Sequence, residues 1–219
     1  MSYLLRLVVP DRPGILGAVA TALGLAGIDI VSVDVLERGG GVAVDDIVVE
    51  LPEDRVADGL ITAVMTVPGV QVESLRPFSG QLDTHRELEL LESLGRAGGG
   101  TATLLADELP RVLHGGWAVV LGGTPDDVTV HAASEAAPEL TGLVLPWLPL
   151  HAPVLLPSED DWVPTMWQEM AVEMMAAPFD GGTAVLLGRS GGPAFRRSEL
   201  LRLAHLTGIA ATVAQLPPA

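Results

Sequence analysis

The residues with the most evident chemistry lie near the start of the chain, in the run Asp11-Arg12-Pro13-Gly14-Ile15-Leu16. Pro13 and Gly14 suit the entry to a helix, and the first N–H groups of a helix lack partners within it. The backbone N–H groups of Gly14, Ile15 and Leu16 then form an electropositive end able to hold a carboxylate, a contact worth up to about 2 kcal/mol when partly buried. Asp11 beside them offers an acceptor to an ammonium group, so a zwitterionic amino acid fits both halves. A second reading stays open, in which Asp11 only caps the helix.

A second candidate pocket is carried by Trp147, Trp162, Met166, Trp167 and Met170, with three of the four tryptophans among them. Met166, Met170 and Met174 recur every fourth residue and predict a stripe on a helix over 162–175. Aromatic walls with flexible methionines suit a planar or apolar ligand, and they equally suit a core or a dimer surface. Other patterns resolve into structure. Gly188-Arg189-Ser190-Gly191-Gly192 matches G-x-S-x-G, but a nucleophile elbow starts its helix at the serine and takes its acid and histidine from separate later loops. Here Gly191-Gly192-Pro193 intervenes, and Glu199 and His205 would share one helix. Glu169 and Glu173, four apart, read as a solvated helix face without a partnering E-x-x-H helix. His85, His114, His131, His151 and His205 show no H-x-x-x-H spacing, so neither metal nor cofactor is expected.

The elements that position these residues follow from periodicity. Residues 3–9 form a strand and 14–26 an amphipathic helix with Ile15, Leu16, Val19 and Leu23 on one stripe. Ile28–Glu37 alternates as a strand, Gly39-Gly40-Gly41 reverses it, and 42–51 returns as a hairpin partner. Pro52-Glu53-Asp54 should open a second helix with Val56, Leu60, Ile61 and Val64 buried, and 70–75 a fourth strand. After Arg76–Gly80, residues 83–97 predict a charged helix striped by Leu88, Leu91 and Leu94. A helix over 101–113 follows, capped by Thr101, then paired strands over 116–122 and 128–133. Five prolines leave 134–161 mostly as loop. A strand at 183–188 and a helix at 197–214 close the chain.

The βαββαβ order over residues 1–78, with the loop Asp11-Arg12-Pro13-Gly14-Ile15-Leu16 after strand one, resembles an ACT domain, a ferredoxin-like regulatory module that commonly binds amino acids. In serine-sensing members of that family, ligand contacts across a dimer interface fall at positions matching Asp11 and Asp29, where the family often has Asn. A histidine of those members is replaced by Val9, which implies a different ligand from serine. The resemblance implies Asp11, Arg12, Gly14, Ile15, Leu16 and Asp29 as ligand-binding residues and a homodimer formed through this module. Residues 83–219, most clearly 178–214, resemble a GAF domain, an α/β sensor with a central antiparallel sheet. The chromophore Cys and the N-K-F-D-E signature of two GAF subgroups are absent.

Length and composition bound the rest. A chain of 219 residues allows one or two domains, and a split with a linker at 79–82 gives two of ordinary size. A 48% hydrophobic content suffices to bury about 70% of the surface and excludes intrinsic disorder. No apolar run approaches the ~18 residues of a membrane span, and Asp11, Arg12 and Pro13 interrupt any signal-peptide pattern, so a cytoplasmic protein is expected. A net charge of −16, with arginine as the sole strong base, argues against nucleic acid and anionic membranes as partners. The absence of cysteine excludes disulfides, thiol catalysis and thiolate zinc sites. The expectation is an α+β, non-catalytic regulator that binds an amino acid at an ACT dimer interface. Its rivals are a dimerising scaffold with empty sites and an enzyme of unrecognised chemistry.

Overall fold

In strand β1 (Ser2–Pro10), odd-numbered Leu5, Leu7 and Val9 point to one side of a sheet, and this alternation organises everything up to residue 78. The computed structural model describes residues 1–52, 55–78 and 86–215, and the chain divides into two units, Met1–Asp83 and Thr84–Ala219. In the first, β1 runs antiparallel to β3 (Val42–Glu50) without interruption from Ser2↔Glu50 to Pro10↔Val42. Strand β4 (Gln71–Pro77) pairs with the other side of β1, and β2 (Asp29–Gly39) forms the far edge, giving the antiparallel order β2-β3-β1-β4. The β2–β3 reversal needs positive φ at both central residues, and Gly40 and Gly41 supply 60° and 81°.

Helices α1 (Ile15–Leu25) and α2 (Asp58–Met65) cover the Leu5–Leu7–Val9 side. Ile15, Val19 and Leu23 of α1 and Leu60 and Val64 of α2 pack there against Ala43, Ile47 and Val49 of β3. On the other side Arg6 is fully buried and donates from Nε and Nη2 to both oxygens of Asp46 directly across the ladder, each at 2.7 Å. Two expectations need correction. Glu53 and Asp54 lie outside the described residues, and α2 begins at Asp58. Val56 precedes that helix and is 72% exposed, because a helix this short has room for one buried pair, Leu60 and Val64.

The second unit opens with α3 (Arg86–Ala97), a 3-10 turn at Gly98–Gly100 and α4 (Thr101–Val112). The linker expected at 79–82, and residues 83–85 of the expected helix, fall outside the described residues. Of the expected stripe Leu94 is buried and Leu91 packs partly against the core, whereas Leu88 is 62% exposed and Leu90 takes its place. Thr101 is the first residue of α4 rather than its cap, and its hydroxyl donates to the Gly98 carbonyl at 2.7 Å. Strands β5 (Trp117–Thr124), β6 (Asp127–Ala133), β7 (Val154–Leu156), β8 (Glu173–Pro178) and β9 (Thr183–Arg189) form an antiparallel sheet ordered β6-β5-β9-β8-β7.

Both faces of this sheet are covered. Ala118, Val120, Met175, Ala177, Val185 and Leu187 meet α3, α4 and the closing helix α6 (Arg197–Ala214). Trp117, Val119, Leu121, Met174, Ala176 and Leu186 meet the 140–163 segment and the short helix α5 (Thr165–Glu169). The helix expected over 162–175 is therefore a helix of one turn followed by a strand. Val172 N–H turns back to the Trp167 carbonyl at 2.9 Å and Ala171 takes a φ of 46°, which ends the helix. Met174 to Ala177 then alternate between the two cores. A fully buried strand and a buried helix both read as an apolar run, and the methionine spacing misdirects that choice. Glu169 and Glu173 consequently share no helix face.

Arg189 ties the second unit together. Its guanidinium donates to the carbonyls of His114, Pro193 and Leu113, each at 3.0 Å, and to Glu199 Oε1 at 2.7 Å, and it lies 3.9 Å from the Phe195 ring centroid. Glu199 Oε2 also accepts the Arg196 backbone N–H at 2.8 Å, holding the start of α6. Removing one partner of a buried pair strands the other's charge, typically at a cost of 3–5 kcal/mol. Arg189→Met should therefore lower the unfolding free energy by roughly 3–5 kcal/mol in chemical denaturation. Adding Glu199→Gln, which keeps an oxygen for Arg196, should recover part of that loss.

Candidate functional site

The loop after β1 is built by backbone hydrogen bonds. Asp11 N–H donates to the Gly41 carbonyl at 2.9 Å, and Arg12 N–H folds back to the Pro10 carbonyl at 2.9 Å. Gly14 then occupies the N-cap of α1 with φ 87° and ψ −6°, and no side chain caps it. The capping role weighed for Asp11 is thereby corrected, since the cap falls three positions later. Ile15 N–H reaches the Arg12 carbonyl at 3.3 Å, and Ala18 N–H the Gly14 carbonyl at 3.0 Å. The N–H groups of Leu16 and Gly17 have no acceptor among the described residues, so the first turn of α1 presents open donors.

Asp11 faces Arg38 near the end of β2, with Oδ1 3.8 Å from the arginine Nε. Both side chains are substantially solvated, which limits the strength of that pair. Arg12 and Gly14 are exposed, Ile15 is buried and Leu16 is half-buried. Asp29 stands apart. It begins β2, pairs with Glu50, and lies at the opposite end of that strand from Arg38. The ten-residue span of strand between them is roughly 30 Å. Within one copy of the chain, Asp11, Arg12, Gly14, Ile15 and Leu16 are brought together and Asp29 is not.

The structure adds a residue that the sequence reading passed over. Asp45 lies on the helix-facing side of β3 between Ala43 and Ile47, opposite Leu7 of β1, and is 1% exposed. Its Oδ1 has no hydrogen-bond partner. Burial raises its pKa above the ordinary aspartate range, opposed by Arg38 and reinforced by Asp11, Asp46 and Asp34. Strict alternation with Ala43, Ile47 and Val49 was the available signal that Asp45, and not Asp46, points inward.

The second candidate pocket is a packed core. Trp167 meets Trp117 at 5.6 Å between ring centroids, and Trp147 meets Trp162 edge-on at 6.2 Å. Trp162 Nε1 donates to Asp160 Oδ2 at 3.3 Å. Met166 and Met170 do not join them, being 67% and 51% exposed. A depression of about 330 Å³ lies elsewhere, between Asp126–Val130 and Leu140–Val144, and none of these tryptophans lines it. Among the described residues no group of three or more His, Cys, Asp or Glu is arranged to hold a metal ion, and no helix is long and apolar enough to cross a membrane.

A carboxyl whose folded pKa is raised costs stability above that pKa and nothing below its unfolded value of about 3.9. Asp45→Asn should therefore raise the melting temperature at pH 8, and the gain should shrink toward zero as the pH falls to about 4. For a chain of this size about 2–4 °C corresponds to each kcal/mol relieved. Thermal melts across that pH range measure it, and a gain independent of pH would contradict the burial of an ionised Asp45.

No curated protein matches the chain. Among solved structures, a formyltetrahydrofolate deformylase from Pseudomonas putida KT2440 is 15% identical over 46% of this chain and 39% of its own, with a TM-score of 0.32. The chain thus spans about two fifths of that enzyme's length. The ligand-free regulatory subunit of aspartate kinase from Thermus thermophilus is 22% identical over 45% of this chain and 70% of its own, with a TM-score of 0.32. An unknown protein from Galdieria sulphuraria is 14% identical over 85% of this chain and 78% of its own, with a TM-score of 0.33. Likenesses this distant bear on neither activity nor ligand. The family comparison is firmer, and it falls on the segment that carries β1, the loop and α1: residues 3–69 match the ACT-domain model and are an ACT domain.

Proposed function

We propose that the chain is a non-catalytic regulatory protein whose ACT domain binds an amino acid, as a homodimer, and whose second unit is a GAF-like sensor or transmitter. The ACT assignment of residues 3–69 supports a regulatory role in binding a small molecule. The observation that carries the ligand class is the first turn of α1, where the open N–H groups of Leu16 and Gly17 lie one short loop from the carboxylate of Asp11. The donors suit the ligand's carboxylate, and the acidic side suits its ammonium group.

The dimer is supported by β2. It is an edge strand with Val31, Val33 and Val35 exposed, and its outer backbone groups are unpaired within the sheet. Antiparallel pairing of two β2 edges would carry Asp29 of one copy toward the Arg38 end of the other, completing the set that one copy leaves divided. A ligand seated there favours one dimer arrangement by its differential affinity. For the second unit, the five-stranded antiparallel sheet with helices on one face and a long loop segment on the other is compatible with the GAF-like reading.

Isothermal titration of the full chain with each proteinogenic amino acid tests the ligand, and light scattering tests the assembly. At least one amino acid should bind in the micromolar to millimolar range, about −8 to −4 kcal/mol. At a hundred times its dissociation constant it should add about 2.7 kcal/mol of stability. A stable dimer that answers to no amino acid would favour the scaffold reading, and a monomer would remove the β2 interface.

A further inference from the structure

We propose that the edge of β6 and the groove beside it take up an extended peptide of a partner protein, one that alternates apolar residues and carries arginine or lysine at one end. This surface belongs to the second unit and is independent of the amino-acid reading of the first. The depression of about 330 Å³ lies between Asp126–Val130 and Leu140–Val144, at the lower end of the volumes that hold ligands. It is built on fixed residues. Leu140 is buried in the loop-side core, and Val128 and Leu143 pack against that core. Leu145 N–H donates to the Pro125 carbonyl at 2.9 Å, which pins the loop to the turn between β5 and β6. Apolar surface nevertheless remains open there, with Val130 46% and Val144 49% exposed.

The backbone beside this groove is unpaired. β6 is the last strand of its sheet and pairs with β5 alone. Among the described residues, none from Asp127 to Val130 makes a backbone hydrogen bond outside that ladder. Alternate N–H and C=O groups therefore face outward, as on any edge strand. A register shift after Val130 leaves His131 unmatched in the ladder, so the straight edge is Asp127–Val130. A strand added there gains affinity from main-chain bonds and selectivity from alternate side chains.

Charge selects the occupant. Asp126 and Asp127 stand exposed beside the groove, and neither side chain has a hydrogen bond or ion pair among the described residues. Among those residues no arginine or histidine lines the depression. A cationic side chain next to the apolar stretch would meet both carboxylates. A second copy of the chain fits poorly. Its own β5–β6 hairpin brings the same two acids, and its β2 brings Asp29, Asp34 and Glu37 against Arg38. Like charges facing each other across a new strand pair destabilise it.

The test uses the full chain and a short fluorescein-labelled peptide that alternates valine with threonine and ends in two arginines. Fluorescence anisotropy reads its binding, and hydrogen exchange reads its place. It should bind with a dissociation constant below about 1 mM, and a form ending in two glutamates should bind at least about 10-fold more weakly. Of two forms N-methylated at odd or at even positions, one should also lose about 10-fold, because its donors to the β6 edge are gone. Asp126→Asn with Asp127→Asn should weaken the arginine peptide about 5-fold. Glu89→Gln with Glu169→Gln removes the same charge from exposed positions outside the groove and should change binding less than about 2-fold. Amide exchange over residues 127–130 should slow when the peptide is bound. Absence of binding, or equal weakening by the two substitution pairs, overturns the proposal, the latter as general attraction to an acidic chain. Full binding of both N-methylated forms overturns strand addition. Protection of 127–130 that rises with protein concentration and needs no peptide also overturns it, and gives the edge to a second copy.

Discussion

The last rung of the β1–β3 ladder, from Asp11 N–H to the Gly41 carbonyl, fixes where the chain leaves the sheet and how it enters α1. Pro10 has no N–H to offer, so the strand must end there unless the next residue completes the pairing. Asp11 completes it, and the chain is then free to fold back through Arg12 and enter α1 at Gly14. The N-cap is a left-handed glycine, which has no side chain to cap the first helical N–H groups, and no other side chain does so. The open donors are thus a product of strand pairing and helix entry together. Neither the ladder nor the helix alone would leave them there.

A comparable constraint holds the second unit, with an opposite outcome. Arg189 meets carbonyls from the end of α4, the Gly192–Pro193 turn and the side chain that starts α6, and its charge is satisfied on every side. The G-x-S-x-G pattern around it serves that knot. Arg189 is saturated, whereas Asp45, equally buried, leaves its Oδ1 without a hydrogen-bond partner. Burial alone does not distinguish them. Hydrogen-bond satisfaction does.

Much of the first unit is legible in the sequence because its signals are local. Alternation in β1 and β3, the three glycines after β2 and the D-R-P-G turn each act within a few residues, and each agrees with the sheet order they produce. The fine structure of the site is less legible. Asp11 looks like a cap because capping is read from neighbours, whereas its backbone is claimed by Gly41 across the sheet. Asp45 does not stand out in the sequence, since its burial follows from a register against Leu7 that links residues far apart in the chain. In the second unit the tryptophans signal a core correctly in kind, yet Met166, Met170 and Met174 share a spacing without sharing a structure. The spacing of a helix was imposed there on a helix end, a left-handed residue and a strand.

The two-sided burial of the β5–β9–β8 sheet has a consequence for how the second unit can transmit anything. Neighbouring residues along these strands belong to different cores: Met174 and Ala176 to the loop side, Met175 and Ala177 to the helix side. The two cores are insulated from each other by a layer of backbone, and side chains on one do not repack those on the other. A molecule seated among the loops would then move α3, α4 and α6 only by tilting or sliding the strands as rigid rods.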